Sequence, residues 1–123
     1  MTALREALAR GIALFNARLF YEAHEAWEEA WLKLEGDEKL FVQGLIQVAA
    51  GYHKITVQDQ PRGCVMLLTA ALEKLSPLPP GFLGVETETF LPEVRRTLLE
   101  AHVWLAASGP PPTALPRLAL RDQ

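Results

Sequence analysis

The sequence has one cysteine, no long apolar run and no long basic run, and each absence excludes a class of protein. The single cysteine, Cys64, cannot form a disulfide within the chain, and its apolar neighbours predict a small buried thiol. No uninterrupted apolar stretch reaches the ~18 residues that a membrane-spanning helix needs. Twelve Lys and Arg against fifteen Asp and Glu give a formal charge of -3. No basic run exceeds Arg95-Arg96, which argues against binding of nucleic acid.

The first residues of the chain also lack the continuous apolar core of a secretory signal peptide. Acidic and basic side chains are spread through this part of the sequence, and a signal peptide does not have that pattern. We therefore expect a cytoplasmic protein that does not associate with a membrane. At 123 residues the chain is long enough for one domain with its own core.

Apolar residues recur every three to four positions, which is the spacing of helices that pack on a core. Glycine and proline divide this pattern into segments, with a Pro-rich loop before the last. Gly44 and Gly51 lie close together on one face and predict a neighbouring helix that approaches closely. The sequence predicts an all-α, compact bundle of about five helices. The first covers residues 3–15, and the second runs from the break near residues 16–18 to residue 34. The other three cover residues 38–58, 61–75 and 90–107.

The domain boundary is placed where the last helical pattern ends. Residues 1–109 are assigned to a single helical domain and residues 110–123 to an extended C-terminal tail that contains proline and leucine. The leucines of this tail can pack on the bundle or on a second copy of the chain. Because half of the chain is hydrophobic, we expect a homodimer.

The most informative stretch is FYEAHEAWEEAW, residues 20–31, which holds four carboxylates, one histidine and four aromatic residues. At about 100° per residue, His24 and Glu28 share a face of the helix, whereas Glu22 and Glu29 fall on the solvated side. An unpaired buried carboxylate is costly, so Glu28 is expected to be paired, protonated or bound to a metal. The aromatic residues expected to wall this site are Phe20, Trp27, Trp31 and Tyr52.

Three interpretations of this face stay open. His24 and Glu28 can form a structural hydrogen-bonded latch, with a further partner such as Tyr52 or Gln47 on the third helix. They can instead bind a divalent metal ion, because imidazole and carboxylate together suit Zn, Mn, Fe or Ni. The third interpretation is acid–base catalysis without a metal, in which Glu28 transfers the proton.

A metal ion needs at least one further ligand, and His53 is the best candidate because it falls away from the polar strip of the third helix. His102, at the edge of the apolar face of the fifth helix, is a weaker one. Glu25 is a further carboxylate candidate, either in an outer shell or in catalysis. Neither the His-Glu-x-x-His motif of zinc proteases nor the Glu-x-x-His motif of di-iron bundles occurs. Whether the protein is an enzyme is left open.

The motifs LFN, YEAHEAWEEAW and FVQGLIQVAAGYH, in this order, resemble the small prokaryotic family known as domain of unknown function 309. The resemblance covers roughly residues 10–75 and includes that family's His-x-x-x-Glu-x-x-Trp/Tyr signature, met here by His24, Glu28 and Trp31. It implies an all-helical fold and metal binding through the signature histidine and glutamate, and it implies no reaction.

Two hypotheses of function follow. In the first, the protein binds a divalent metal through an inward-facing His24, Glu28 and His53, with an unknown reaction and substrate. In the second, it is a non-enzymatic helical interaction module, in which the His24 and Glu28 pair is a buried structural latch.

Overall fold

The computed structural model describes residues 2–121, which form five α-helices and one short 3₁₀ helix around a single core. This confirms the predicted all-α bundle. Met1 and the last two residues of the predicted tail lie outside the described residues. The α-helices are α1 (Ala3–Asn16), α2 (Phe20–Trp31), α3 (Gly36–Thr56), α4 (Pro61–Leu75) and α5 (Thr87–Ala107).

Local capping explains where α1 and α3 begin. The Oγ1 of Thr2 accepts a hydrogen bond from the backbone N–H of Arg5 at 3.1 Å, which satisfies one of the free N–H groups of the first turn of α1. At α3, residue type alone favours Asp37 as the N-cap, but Asp37 does not occupy that position. Glu35 is extended and is the N-cap, so α3 begins at Gly36. Asp37 therefore stands in the first turn, where a carboxylate is favoured by the helix dipole.

The central helix is α3, which packs between α2 and α4. A Cβ at Gly44 would lie 2.7 Å from the side chain of Leu75, and a Cβ at Gly51 would lie 2.6 Å from that of Leu68. Both leucines belong to α4 and are buried. The close approach of a neighbouring helix is therefore confirmed, and the neighbour is α4.

Cys64 lies on the buried face of α4 and is a free thiol. Burial raises the pKa of Cys64 to about 12, because the thiolate would lose its hydration. The predicted buried thiol is confirmed, and its raised pKa favours the protonated form at neutral pH.

The part of the tail that the structure describes, residues 110–121, lies against the bundle. Leu118 belongs to the core, and Leu115 and Leu120 pack partly buried against it. The extended conformation matches the prediction, and of the two contact surfaces considered for the tail leucines, the bundle is the one seen here. No helix within residues 2–121 is both long and apolar enough to cross a membrane.

Candidate functional site

The imidazole of His24 and the carboxylate of Glu28 contact each other directly on α2. Their Nε2 and Oε2 atoms are 3.0 Å apart, because residues four apart on a helix lie one turn above each other. The predicted pairing is therefore present. The predicted burial of Glu28 is wrong, since its side chain is 51% exposed and that of His24 is 28% exposed.

The exposure of Glu28 follows from which face of α2 is turned inward. The aromatic residues indicate an inner face that includes Glu28, whereas the helix buries Phe20, Ala23, Ala26 and Trp27. Ala23 is fully buried and lies near the centre of this face, where a small side chain allows helices to approach closely. Glu28 follows Trp27 by about 100° and lies beyond the edge of this face. The reason for expecting a protonated or metal-bound Glu28 therefore no longer applies.

Tyr21 connects His24 to the second histidine of the site. Its ring centroid lies 5.9 Å from that of His24 and 5.9 Å from that of His53 on α3. Tyr21 is 52% exposed, so these contacts lie at the surface of the bundle. Tyr21 is not among the predicted walls of the site, although its position three residues before His24 places it within reach on the helix.

Two open cavities meet at Tyr21 and His24, and they differ in charge. We call the first, of about 200 Å³, the histidine cavity; it is also lined by Ala50, His53, Lys54 and Gln58. We call the second, of about 280 Å³, the acidic cavity; it is also lined by Glu25, Glu28, Glu29 and Leu32. The site is thus an exposed edge of α2 with carboxylates on one side and a lysine and a second histidine on the other.

The residues predicted as walls of the site lie mainly elsewhere. Phe20, Trp27 and Tyr52 are core residues with at most 1% exposure, and Trp31 is partly buried. The Tyr52 hydroxyl is 2.8 Å from the Oγ1 of Thr97, and burial raises the pKa of Tyr52. Tyr52 therefore is not the partner of the His24 and Glu28 pair that the latch interpretation considered.

The buried polar atoms that have no hydrogen-bond partner among residues 2–121 include His24 Nδ1, Trp31 Nε1 and Gln47 Oε1. Gln47, the other partner considered for the latch, therefore does not complete the pair. Because His24 uses Nε2 toward Glu28, Nδ1 is its remaining nitrogen. A buried polar atom without a partner is unfavourable. A bound ion or molecule that interacted with Nδ1 would therefore gain binding free energy at this position.

The structure divides the residues predicted to bind a metal. His24 and His53 line the histidine cavity, whereas Glu25 and Glu28 line the acidic cavity, and His102 is exposed on α5. In the described part of the chain, no group of three or more His, Cys, Asp or Glu side chains is arranged to hold an ion. The donor set is therefore smaller than the three protein ligands of a catalytic zinc site.

Fold and site together define a small all-α protein with an exposed histidine and glutamate pair on its second helix. The chain belongs to the family described as Domain of unknown function (DUF309), which residues 8–67 match. It is also similar to the crystal structure of a conserved hypothetical protein from Thermus thermophilus, with 34% sequence identity and a TM-score of 0.64. That similarity covers 73% of this chain and 93% of the other. A search of the curated proteins finds no match.

Proposed function

We propose that this protein is a non-enzymatic helical interaction module, which binds a basic segment of a partner protein on the exposed edge of α2. The observation that carries the proposal is the acidic cavity. It places two exposed apolar side chains, Tyr21 at 52% and Leu32 at 67%, beside three carboxylates. This combination is complementary to a segment that presents lysine or arginine next to an apolar side chain.

The charges along α2 support this choice of partner. No lysine or arginine occurs between Arg18 and Lys33, while four glutamates do. Arg10 compensates one of them, with its Nη2 atom 3.3 Å from Glu29 Oε2. Within residues 2–121, Glu25 forms no ion pair. The edge therefore keeps an excess of negative charge, which attracts a basic partner and accelerates its association.

The bond between His24 and Glu28 has an orienting function in this proposal. A pair as exposed as this one contributes only about 0–1 kcal/mol to stability. It does hold the Glu28 carboxylate against α2 at the rim of the acidic cavity. A side chain that is already ordered loses less conformational entropy when a partner binds. The pair of His24 and Glu28 therefore contributes more to orienting Glu28 for binding than to stabilising the fold.

Fluorescence anisotropy with a labelled helical peptide of lysine and leucine tests the proposal. We expect the unaltered protein to bind it, and Glu25→Gln/Glu28→Gln to weaken binding about tenfold or more. The matched control is Glu73→Gln/Glu100→Gln, which removes the same charge from the surfaces of α4 and α5, away from α2. This control is expected to bind the peptide within about twofold of the unaltered protein. Equal weakening by both double variants would mean nonspecific attraction and would contradict the proposal.

A divalent metal ion at the histidine cavity is the second candidate, and the unpaired Nδ1 of His24 favours it. In metal sites, a histidine ligand commonly donates its other N–H to a carboxylate, and Glu28 is placed to accept from Nε2 of His24. His24 and His53 supply two donors on this cavity, so we propose a weak site and derive no reaction from it.

Isothermal titration with zinc tests this candidate. His53→Ala should abolish a binding heat and His102→Ala should leave it unchanged, whereas loss from neither variant would reject the candidate.

A further inference from the structure

The described part of the tail, residues 110–121, is held by buried apolar side chains at intervals. Leu118 is 2% exposed and belongs to the core. Pro112 and Pro116 are buried as well. The residues between them are mostly exposed, so the tail is anchored at a few points along an extended chain.

One side of the tail is bound through its backbone by two side chains at the end of α1. Asn16 makes two hydrogen bonds with Leu118: its Nδ2 donates to the carbonyl at 2.8 Å and its Oδ1 accepts from the N–H at 2.9 Å. Arg18 donates to the carbonyls of Pro116 at 2.9 Å and Leu115 at 3.2 Å. These bonds are made to the main chain of the tail, so they do not depend on the identity of most of its side chains.

The other side of the tail pairs with the backbone just before α5. Glu86 N–H donates to the Ala119 carbonyl at 2.9 Å, and Arg121 N–H donates to the Gly84 carbonyl at 2.7 Å. Val85 and Leu120 form an antiparallel bridge between these bonds. We call Asn16, Arg18 and residues 84–86 together the seat. It captures an extended segment by β-pairing on one side and side-chain bonds on the other.

The hinge between α5 and the tail favours exchange of the tail between molecules. Ser108 has a φ of 53°, a left-handed conformation that a residue with a Cβ adopts only at a cost. Gly109 and three prolines follow, and prolines keep the next residues extended. A straight hinge would return Ser108 to an ordinary backbone conformation and would direct the tail away from its own seat. Short strained hinges of this kind promote domain exchange.

We propose that the tail also occupies the seat of a second copy of the chain, giving a reciprocal tail-exchanged dimer at high concentration. Each seat makes the same contacts in the monomer and in the dimer, so the balance depends on hinge strain and protein concentration. This interaction uses α1 and the residues before α5, and it is independent of the partner surface proposed on α2.

Complementation between two variants of the full chain tests the exchange. Asn16→Ala/Arg18→Asn removes the side-chain bonds of the seat and keeps the tail, whereas Leu118→Asp removes the anchor of the tail and keeps the seat. Light scattering at high concentration should give each variant alone the 13.7 kDa mass of one chain. An equimolar mixture should give about twice that mass, because an intact tail meets an intact seat only between molecules.

A mixture that keeps the mass of one chain would overturn the exchange, and so would a dimer formed equally by each variant alone. Circular dichroism checks that both variants keep their helices. Ser108→Gly supplies a second measurement in a chain with intact seat and tail, because glycine accepts the left-handed conformation without strain. It should lower the dimer fraction of the otherwise unaltered protein several-fold at equal concentration, and an unchanged fraction would count against the hinge.

Discussion

Replacing Phe15 by alanine is expected to lower the free energy of unfolding by about 3–5 kcal/mol. Phe15 is fully buried at the end of α1. Its ring centroid lies 5.0 Å from Phe20, 6.1 Å from Trp27, 6.0 Å from Tyr52 and 5.8 Å from Phe90. Three of these contacts are edge-on, which adds to the stabilisation from burial alone. Alanine would leave a cavity where α1, α2, α3 and α5 meet.

Urea denaturation followed by circular dichroism measures this loss, with Phe82→Ala as the matched control. Phe82 is only partly buried, and its ring lies 5.2 Å from that of Phe41. The same substitution should therefore lower the free energy of unfolding less than half as much at Phe82 as at Phe15. The Phe82 ring buries less apolar surface, so less buried area is lost, and a cavity at the surface can fill with water. Similar losses at the two positions would show that Phe15 is not the centre of the core.

The helices were predictable because the signals that define them are local. The start of α4 at Pro61 matches the prediction, since proline fits the first turn of a helix and marks it in the sequence. Gly44 and Gly51 predicted a close neighbour because glycine spaced along one face of a helix has few other uses. The N-cap of α3 does not follow from residue type, because aspartate is the better capping residue, yet the backbone path of the loop makes Glu35 the cap instead of Asp37.

The candidate site was predictable in part, for the same physical reason. The contact between His24 and Glu28 depends only on the helical repeat, so sequence spacing was sufficient. The exposure of Glu28 and the contact of Tyr21 with His53 depend on which face α2 turns toward α3. That rotation is set by the close packing of alanines and aromatics in the core, and counting charged or aromatic residues does not give it.

The residues that form the seat of the tail could not be predicted from the sequence. The leucines of the tail were visible as apolar residues in a Pro-rich stretch. Asn16 and Arg18 bind that stretch from about a hundred positions away, where the sequence suggested only a break between helices. Side-chain bonds to a distant backbone leave no periodic pattern, so such partners emerge only when the chain is folded.

Replacing Gly11 by alanine is the second substitution with a large expected effect, a net loss of about 2 kcal/mol. A Cβ at Gly11 would overlap the indole atoms Nε1, Cδ1 and Cε2 of Trp27. Trp27 is 1% exposed and its Nε1 is 3.4 Å from the Leu8 carbonyl, so the ring has little room to move. Overpacking of this kind costs up to about 3 kcal/mol, and the better helix propensity of alanine offsets about 1 kcal/mol.

Gly109→Ala is the control, because nothing lies within 4 Å of a Cβ there, and its effect should stay within about 0.5 kcal/mol. In a Trp27→Leu background the clash is removed, so Gly11→Ala should become neutral or stabilising. An unchanged loss of stability would show that it does not come from this contact.

Trp27 lies on the same helix as Tyr21, His24 and Glu28. If the contact between Gly11 and Trp27 helps to set the rotation of α2, Gly11→Ala should weaken binding of the lysine and leucine peptide even under conditions where the variant stays folded.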